Sequence, residues 1–269
     1  MKFIQCEQGT KEWLQARAGA ATASMFSAAL SMVGGLTDQQ QAYVNAIRAG
    51  ATEEAAAEAG GYKTKVKRTT NVERAIQGLP VGEPSDGAKK YAGDIALERI
   101  QKLPYGEPPK SWTLERGHEM EARARIRYEE ITGYMAMDGG IFKTDDDWFG
   151  YSSDGTVDGT PEGDGLIEIK APVDSQKILA TIQTGDVSEY IHQMQGGMWI
   201  TGRQWCDFIM YVPALESVGN DLYVKRVYRD DDFINEMVEG LWKFRTLALS
   251  FESILRKPAA NLDQLKQAA

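Results

Sequence analysis

The stretch Ser152-Ser153-Asp154-Gly155, followed by Gly165-Leu166-Ile167-Glu168-Ile169-Lys170, decides how this chain is read. In an extended strand successive side chains point to opposite faces, so Glu168 and Lys170 share one face while Ile167 and Ile169 turn to the other, apolar one. Asp154 ends the preceding extended run, and Gly155 after it allows a turn that brings the carboxylate beside Glu168 on a neighbouring strand. Glu-x-Lys on a strand is also the pattern of an ordinary exposed ion pair. Its surroundings must therefore decide.

Short β-type runs at 140–143, 148–152, 155–158, 165–171, 204–212 and 222–228 flank and contain this stretch, separated by Gly, Asp and Pro turns. A helix over about 115–131, rich in Glu, Ala and Arg and closed by Gly133, precedes them. Another at about 186–200 interrupts the strands, and a long amphipathic one over 231–256, ahead of Pro258, follows. The order predicts an α/β fold, a mixed central sheet flanked by helices. Residues 10–18 read as a short helix, with Thr22-Ala-Ser24 as an N-cap for a second one. From about 33 to 111, helical patterns at 38–48 and 87–102 alternate with Gly and Pro breaks such as Gly60-Gly61 and Gly78-Leu79-Pro80. This part reads as a helical insertion within one domain spanning 1–269.

The chain has 269 residues, 42% of them hydrophobic, enough for a sizeable core. Its two cysteines, Cys6 and Cys206, exclude a disulfide framework and a four-cysteine metal cluster. No apolar run has the length of a signal peptide or a membrane span, so a soluble cytoplasmic protein is expected. Thirty Lys and Arg against 39 Asp and Glu give a net charge of −9, which at first disfavours a nucleic-acid partner. However, much of the acid is gathered between 145 and 168, and Lys63, Lys65, Lys67 and Arg68 form a basic run, read as a solvated loop or a phosphate contact.

Phosphodiester hydrolysis requires a nucleophilic hydroxide at neutral pH and stabilisation of charge on phosphorus and on the leaving oxygen. Hard oxygen ligands holding Mg²⁺, with a lysine beside them, suit that task. Four blocks extend the motif: Trp13-Leu-Gln-Ala-Arg17-Ala-Gly19 with Thr22-Ala-Ser24; Gly117-His-Glu-Met-Glu121; Ser152-Ser-Asp154-Gly155 with Glu168-Ile-Lys170-Ala-Pro172; and Tyr190-Ile-His-Gln193-Met-Gln195 ahead of Met198-Trp199. In order and spacing they resemble the PD-(D/E)xK nuclease superfamily. Within it the resemblance is closer to the lambda-type and YqaJ-type exonucleases of phage recombination. The family's proline before the first metal-binding aspartate is Ser153 here.

The resemblance implies a restriction-endonuclease-like core and a Mg²⁺-dependent 5′-to-3′ exonuclease, with Mn²⁺ as a substitute. It implies Asp154, Glu168 and the Ile169 carbonyl as metal ligands, and Lys170 as activator of the attacking water. Glu121 would be a further acid near the metal, and Gln193 an amide that steadies the water or Lys170. Arg17 and Ser24, joined by Ser152, would hold a terminal 5′-phosphate, an anion site for which an arginine fork and a hydroxyl are suited on physical grounds. Expected partners are double-stranded DNA ends, two further copies in a ring-shaped homotrimer, and a phage single-strand annealing protein, in a bacterial host. A restriction- or repair-type endonuclease on the same fold is the alternative. Asp145 and Asp146 are further candidates to support a metal ligand. His118 and His192, the only histidines, lie beside motif positions rather than on them.

Overall fold

The computed structural model describes residues 1–64, 66–106 and 112–257. In chain order its strands and α-helices begin with β1 (Lys2–Ile4), α1 (Lys11–Arg17), β2 (Ala21–Thr22), α2 (Phe26–Ala29), β3 (Met32–Val33), α3 (Asp38–Arg48), α4 (Glu53–Ala59), α5 (Thr70–Ile76), β4 (Glu83–Pro84) and α6 (Asp86–Gln101). They continue with α7 (Trp112–Thr132), β5 (Ile141–Lys143), β6 (Phe149–Ser152), β7 (Gly155–Thr160), β8 (Gly163–Lys170), α8 (Ser175–Thr184), α9 (Ile191–Thr201), β9 (Trp205–Tyr211), β10 (Leu222–Tyr228) and α10 (Asp231–Leu255). Lys65 and Pro258 lie outside the described residues. Among the described residues no helix is long and apolar enough to cross a membrane.

Two compact units result: residues 1–29 with 91–269, and residues 30–90. The division falls inside α6. The first unit holds two four-stranded sheets, ordered β1-β5-β6-β2 and β10-β9-β8-β7. Both are mixed, because β2 runs parallel to β6 and β8 parallel to β9 while the other pairs are antiparallel. A parallel pair needs a long crossover, and α8 and α9 supply the one between β8 and β9. The mixed α/β class read from the sequence is present, its strands divided between two ladders that meet where β6 passes through Ser153 and Asp154 into β7.

The core explains why these strands face as they do. Ile167 and Ile169 are buried with Met120, Ala124 and Tyr128 of α7 and with Val157, Trp205, Ile209 and Tyr211. Each such side chain removed from water contributes about 1.5–3 kcal/mol, so a one-residue slip of β8, which would send Ile167 and Ile169 to the polar face, is strongly disfavoured. On the other side α9 packs closely: a Cβ on Gly197 would come within 2.8 Å of the Tyr151 ring, and one on Gly196 within 2.7 Å of Phe26. α9 ends at Gly202 (φ 75°) and α7 at Gly133 (φ 73°), conformations that glycine adopts without a Cβ clash. α10 starts at Asp230, whose side chain accepts from Phe233 N, and buries Ile234, Met237, Leu241, Phe244 and Ala248 on one stripe.

The second unit is mainly helical, with β3 and β4 paired antiparallel. Thr37 caps α3 with Gln40 in a reciprocal box, and Tyr43, Val44, Ala56 and Val72 form its buried centre. In the basic run, Arg68 Nε donates to the Tyr43 hydroxyl at 3.2 Å and Arg68 Nη2 to Glu53 at 2.9 Å. The guanidinium thus has a structural engagement in this unit.

The structure departs from the sequence reading in several elements. Thr22 caps no α-helix with its side chain; a 3-10 turn, Ala23–Met25, intervenes before the four-residue α2. The helix placed at 186–200 is a 3-10 turn, Ser188–Tyr190, followed by α9. α8 and the strands β1 and β2 form where no element was read.

Candidate active site

Gly155 pairs with Ile167 across β7 and β8, which sets Asp154 at the level of Glu168. The Asp154 carboxylate accepts from the Ile169 backbone N–H at 2.7 Å, and its own carbonyl accepts from Arg125 Nη2 at 2.8 Å. Both ends of the residue are therefore fixed. Glu168, fully buried on the face opposite Ile167 and Ile169, accepts from three side chains: Lys170 Nζ at 2.5 Å, Gln193 Nε2 at 2.6 Å and the Tyr151 hydroxyl at 3.2 Å. Gln193 Oε1 lies 3.5 Å from Lys170 Nζ, closing a small ring of contacts. The packing of Gly197 against Tyr151 is what lets α9 bring Gln193 and the Tyr151 hydroxyl to one carboxylate.

Electrostatics shows what this cluster lacks. Burial raises Glu168 from the usual carboxylate range to about 7, against the opposing charge of Lys170. Burial likewise raises Asp154 to about 6, with Lys170 opposing and Glu121 reinforcing the shift. Glu121, on α7, is pushed to about 7 by burial and by Glu168. For Lys170 burial works against the charge, but Glu168 and Asp154 outweigh it and hold the ammonium above its ordinary pKa. Lys170 is thus held as a charged donor beside Glu168. One ammonium beside three interacting acids leaves negative charge in a desolvated place, and a hard divalent cation is the chemistry that relieves it. Among the described residues, no three Asp, Glu, His or Cys side chains form a metal cage by themselves. The donor set that fits is two carboxylates, Asp154 and Glu168, with a backbone carbonyl such as that of Ile169.

The second group of sequence-selected residues gathers at the end of α1. Arg17 Nη2 donates to Thr22 Oγ1 at 3.1 Å, and Thr22 Oγ1 lies 3.4 Å from Ser24 Oγ. The Arg17 guanidinium stands 4.1 Å from the centre of the Trp13 ring, whose indole N–H donates to Ser152 Oγ at 2.8 Å. Arg17, Ser24 and Ser152 therefore belong to one chain of contacts, with Ser152 two residues from Asp154. Burial lowers the Arg17 pKa, partly offset by Tyr91 and Glu98. Lys143, nearly buried, donates to the Ala16 carbonyl at 3.2 Å and so steadies the end of α1.

Asp145 and Asp146 lie elsewhere, in the β5–β6 turn. Asp146 accepts from Thr144, the Trp148 N–H and Arg245, and Asp145 is exposed. His192 packs edge-on against Phe233, and the side chain of His118 lies outside the described residues. Thr22, Trp13, Tyr151 and Arg125 are members of these clusters that the sequence left without a role. Thr22 stood in a quoted block but was read as a cap. Arg125, one turn after Glu121 on α7, donates to Asp138 and to the Asp154 carbonyl.

An Asp and a Glu-x-Lys at the meeting of mixed sheets flanked by helices is the arrangement of the PD-(D/E)xK superfamily. The family model described as YqaJ-like viral recombinase domain matches residues 12–204, and the chain belongs to that family. Among solved structures it is similar to an alkaline exonuclease from Laribacter hongkongensis, LHK-Exo. The likeness is 27% identity over 94% of this chain and all of that one, with a TM-score of 0.65. LHK-Exo in complex with dAMP gives 26% identity at the same coverage and a TM-score of 0.66. A phage related exonuclease from Haemophilus somnus shares the fold at 14% identity and a TM-score of 0.51, over 88% of this chain and 94% of that one. No curated protein matches the chain.

Proposed function

We propose that this protein is a Mg²⁺-dependent 5′-to-3′ exodeoxyribonuclease. It degrades one strand of double-stranded DNA from its ends and leaves 3′ single-stranded overhangs for phage recombination by strand annealing. The observation that carries the reading is Trp13, which touches Arg17 with its ring and Ser152 with its indole N–H, so that the anion-type pocket reaches the strand end lying two residues before Asp154. An end-holding pocket next to a hydrolytic centre suits an enzyme that starts at termini. LHK-Exo has been solved with dAMP, a nucleoside monophosphate of the kind such digestion releases.

Asp154, Glu168 and the Ile169 carbonyl would hold Mg²⁺ or Mn²⁺, which supplies Lewis acidity toward the scissile phosphate. Lys170 offers a fixed positive charge where negative charge grows on phosphorus, and Gln193 holds that ammonium and the Glu168 carboxylate in register. Glu121, close enough to Glu168 for their charges to interact, is a further acid beside the metal. Arg17, Ser24 and Ser152 hold the terminal 5′-phosphate. The working form is a ring-shaped homotrimer, in which only the lining must be basic, so a net charge of −9 is no obstacle. It acts with a phage annealing protein in the bacterial host.

The deciding assay compares linear duplex bearing 5′-phosphate or 5′-hydroxyl ends with closed circular DNA, with and without Mg²⁺. The expected result is digestion of linear DNA only, faster from phosphorylated ends, restored by Mn²⁺ and abolished by EDTA. Cleavage of closed circles would favour the endonuclease alternative, and EDTA-resistant cleavage would remove the metal from the mechanism.

A further inference from the structure

The turn between Arg17 and Ser24 is held by a helix to which the sequence assigns no function. On α6, Glu98 accepts from the Gly19 N–H at 2.7 Å and Arg99 donates to the Gly19 carbonyl at 3.0 Å, gripping one residue from both sides. Tyr91 of the same helix accepts from the Thr22 backbone N–H at 3.0 Å, and its ring stacks on Phe244 with centroids 5.3 Å apart. The phenol oxygen is thus engaged as an acceptor from the backbone, and the hydroxyl also meets the Thr22 side chain, to which Arg17 already donates, so its hydrogen can turn toward an arriving anion. Arg17 lies close enough for its charge to act on the phenol, while burial, the dominant influence, keeps the phenol protonated.

We infer that Tyr91 is a further ligand of the terminal 5′-phosphate, donating its phenolic hydrogen to a phosphoryl oxygen beside Arg17, Thr22 and Ser24. The inference rests on the end-pocket reading above. It gives the phosphate a neutral donor from α6 in addition to those from the α1 side. The helix that fixes Gly19 also fixes this hydroxyl, so the donor needs little reorganisation when the anion arrives. The guanidinium carries five N–H donors, of which one reaches Thr22, and so retains capacity for the same anion.

The test uses the whole protein in EDTA, which prevents turnover. Binding of 5′-phosphorylated dithymidylate and of its 5′-hydroxyl counterpart is measured by calorimetry. Tyr91→Phe, which keeps the ring on Phe244, should weaken the phosphorylated ligand about tenfold, as expected for a hydrogen bond to a charged group, and leave the hydroxyl form unchanged. Fluorotyrosine at position 91, a stronger donor and a weaker acceptor than tyrosine, should bind the phosphorylated ligand at least as tightly as the wild type, since Tyr91 donates to the phosphate directly. Wild-type discrimination that Arg17→Ala removes but Tyr91→Phe leaves intact would overturn the inference while the pocket stands. So would fluorotyrosine that loses the phosphorylated ligand as Tyr91→Phe does, which would make Tyr91 only an acceptor that props the Thr22 backbone N–H. Equal wild-type binding of both ligands would remove the pocket and the inference together.

Discussion

The carboxylate cluster around Glu168 and the donor cluster around Arg17 belong to one compact unit, and Trp13 ties the second to Ser152, two residues before Asp154, yet their charge is opposite. In both, burial works against the charged form: it raises Glu168 and Asp154 and lowers Arg17. Each holds a substitute partner from its own chain, Lys170 in one and Thr22 in the other. The lesson is that a net charge averaged over the chain says little about what it binds. Desolvated charge of one sign, held in a fixed frame, marks a place for a ligand of the other sign.

The comparison breaks hardest at Lys170. Lys170→Ala should retain folding and DNA binding but lose on the order of 10²-fold or more in the rate of hydrolysis, the scale of removing one preorganised charge-stabilising group. Single-turnover digestion near the wild-type rate would reduce Lys170 to a structural partner of Glu168. A smaller effect belongs to the other cluster. Arg17→Ala should slow initiation on phosphorylated ends by about 10- to 100-fold, the worth of a charged hydrogen bond, and largely erase the preference over hydroxyl ends. Initiation that is slowed equally at both kinds of end would place Arg17 outside end recognition.

The smallest effect sharpens the contrast through stability. Glu168 and Glu121 titrate near 7 and Asp154 near 6 in the folded chain, above the ordinary carboxyl value of 4.5 for the two glutamates and 3.8 for the aspartate. Between that range and pH 7 the folded state holds more protons than the unfolded one, so this contribution to stability falls as pH rises through the window. In EDTA the protein should melt a few degrees higher at pH 5.5 than Glu168→Gln would predict from its own change between pH 5.5 and 7.5, at about 2–4 °C per kcal/mol. Mg²⁺ should restore the wild type selectively at pH 7.5. Parallel pH profiles for wild type and Glu168→Gln would show that these acids do not control stability.

The strands β5 to β10 were legible because period-two patterns are broken by Gly, Asp and Pro, and α7 because Ala, Glu and Arg surround spaced apolar positions. α8 gave no such signal. It buries no residue, and Leu179 and Ile182 stay exposed, so its apolar positions are not tied to a core. β1 and β2 have three and two residues, too short for periodicity, and exist only through pairing with β5 and β6. The site divides in the same way. Asp154, Glu168 and Lys170 are legible because one strand and one turn bring them together, whereas Tyr91 and Trp13 join through contacts between distant parts of the chain.

Trp13 and Ser152, 139 positions apart, illustrate what that separation means for folding. Closing so long a loop costs conformational entropy before any contact rewards it, and folds dominated by such pairings form slowly. During synthesis α1 emerges before β5 and β6 and cannot dock beside them until the helices α3 to α7 have followed. The residues of α1 therefore reach their places late, and Trp13 meets Ser152 only once the strand leading to Asp154 exists.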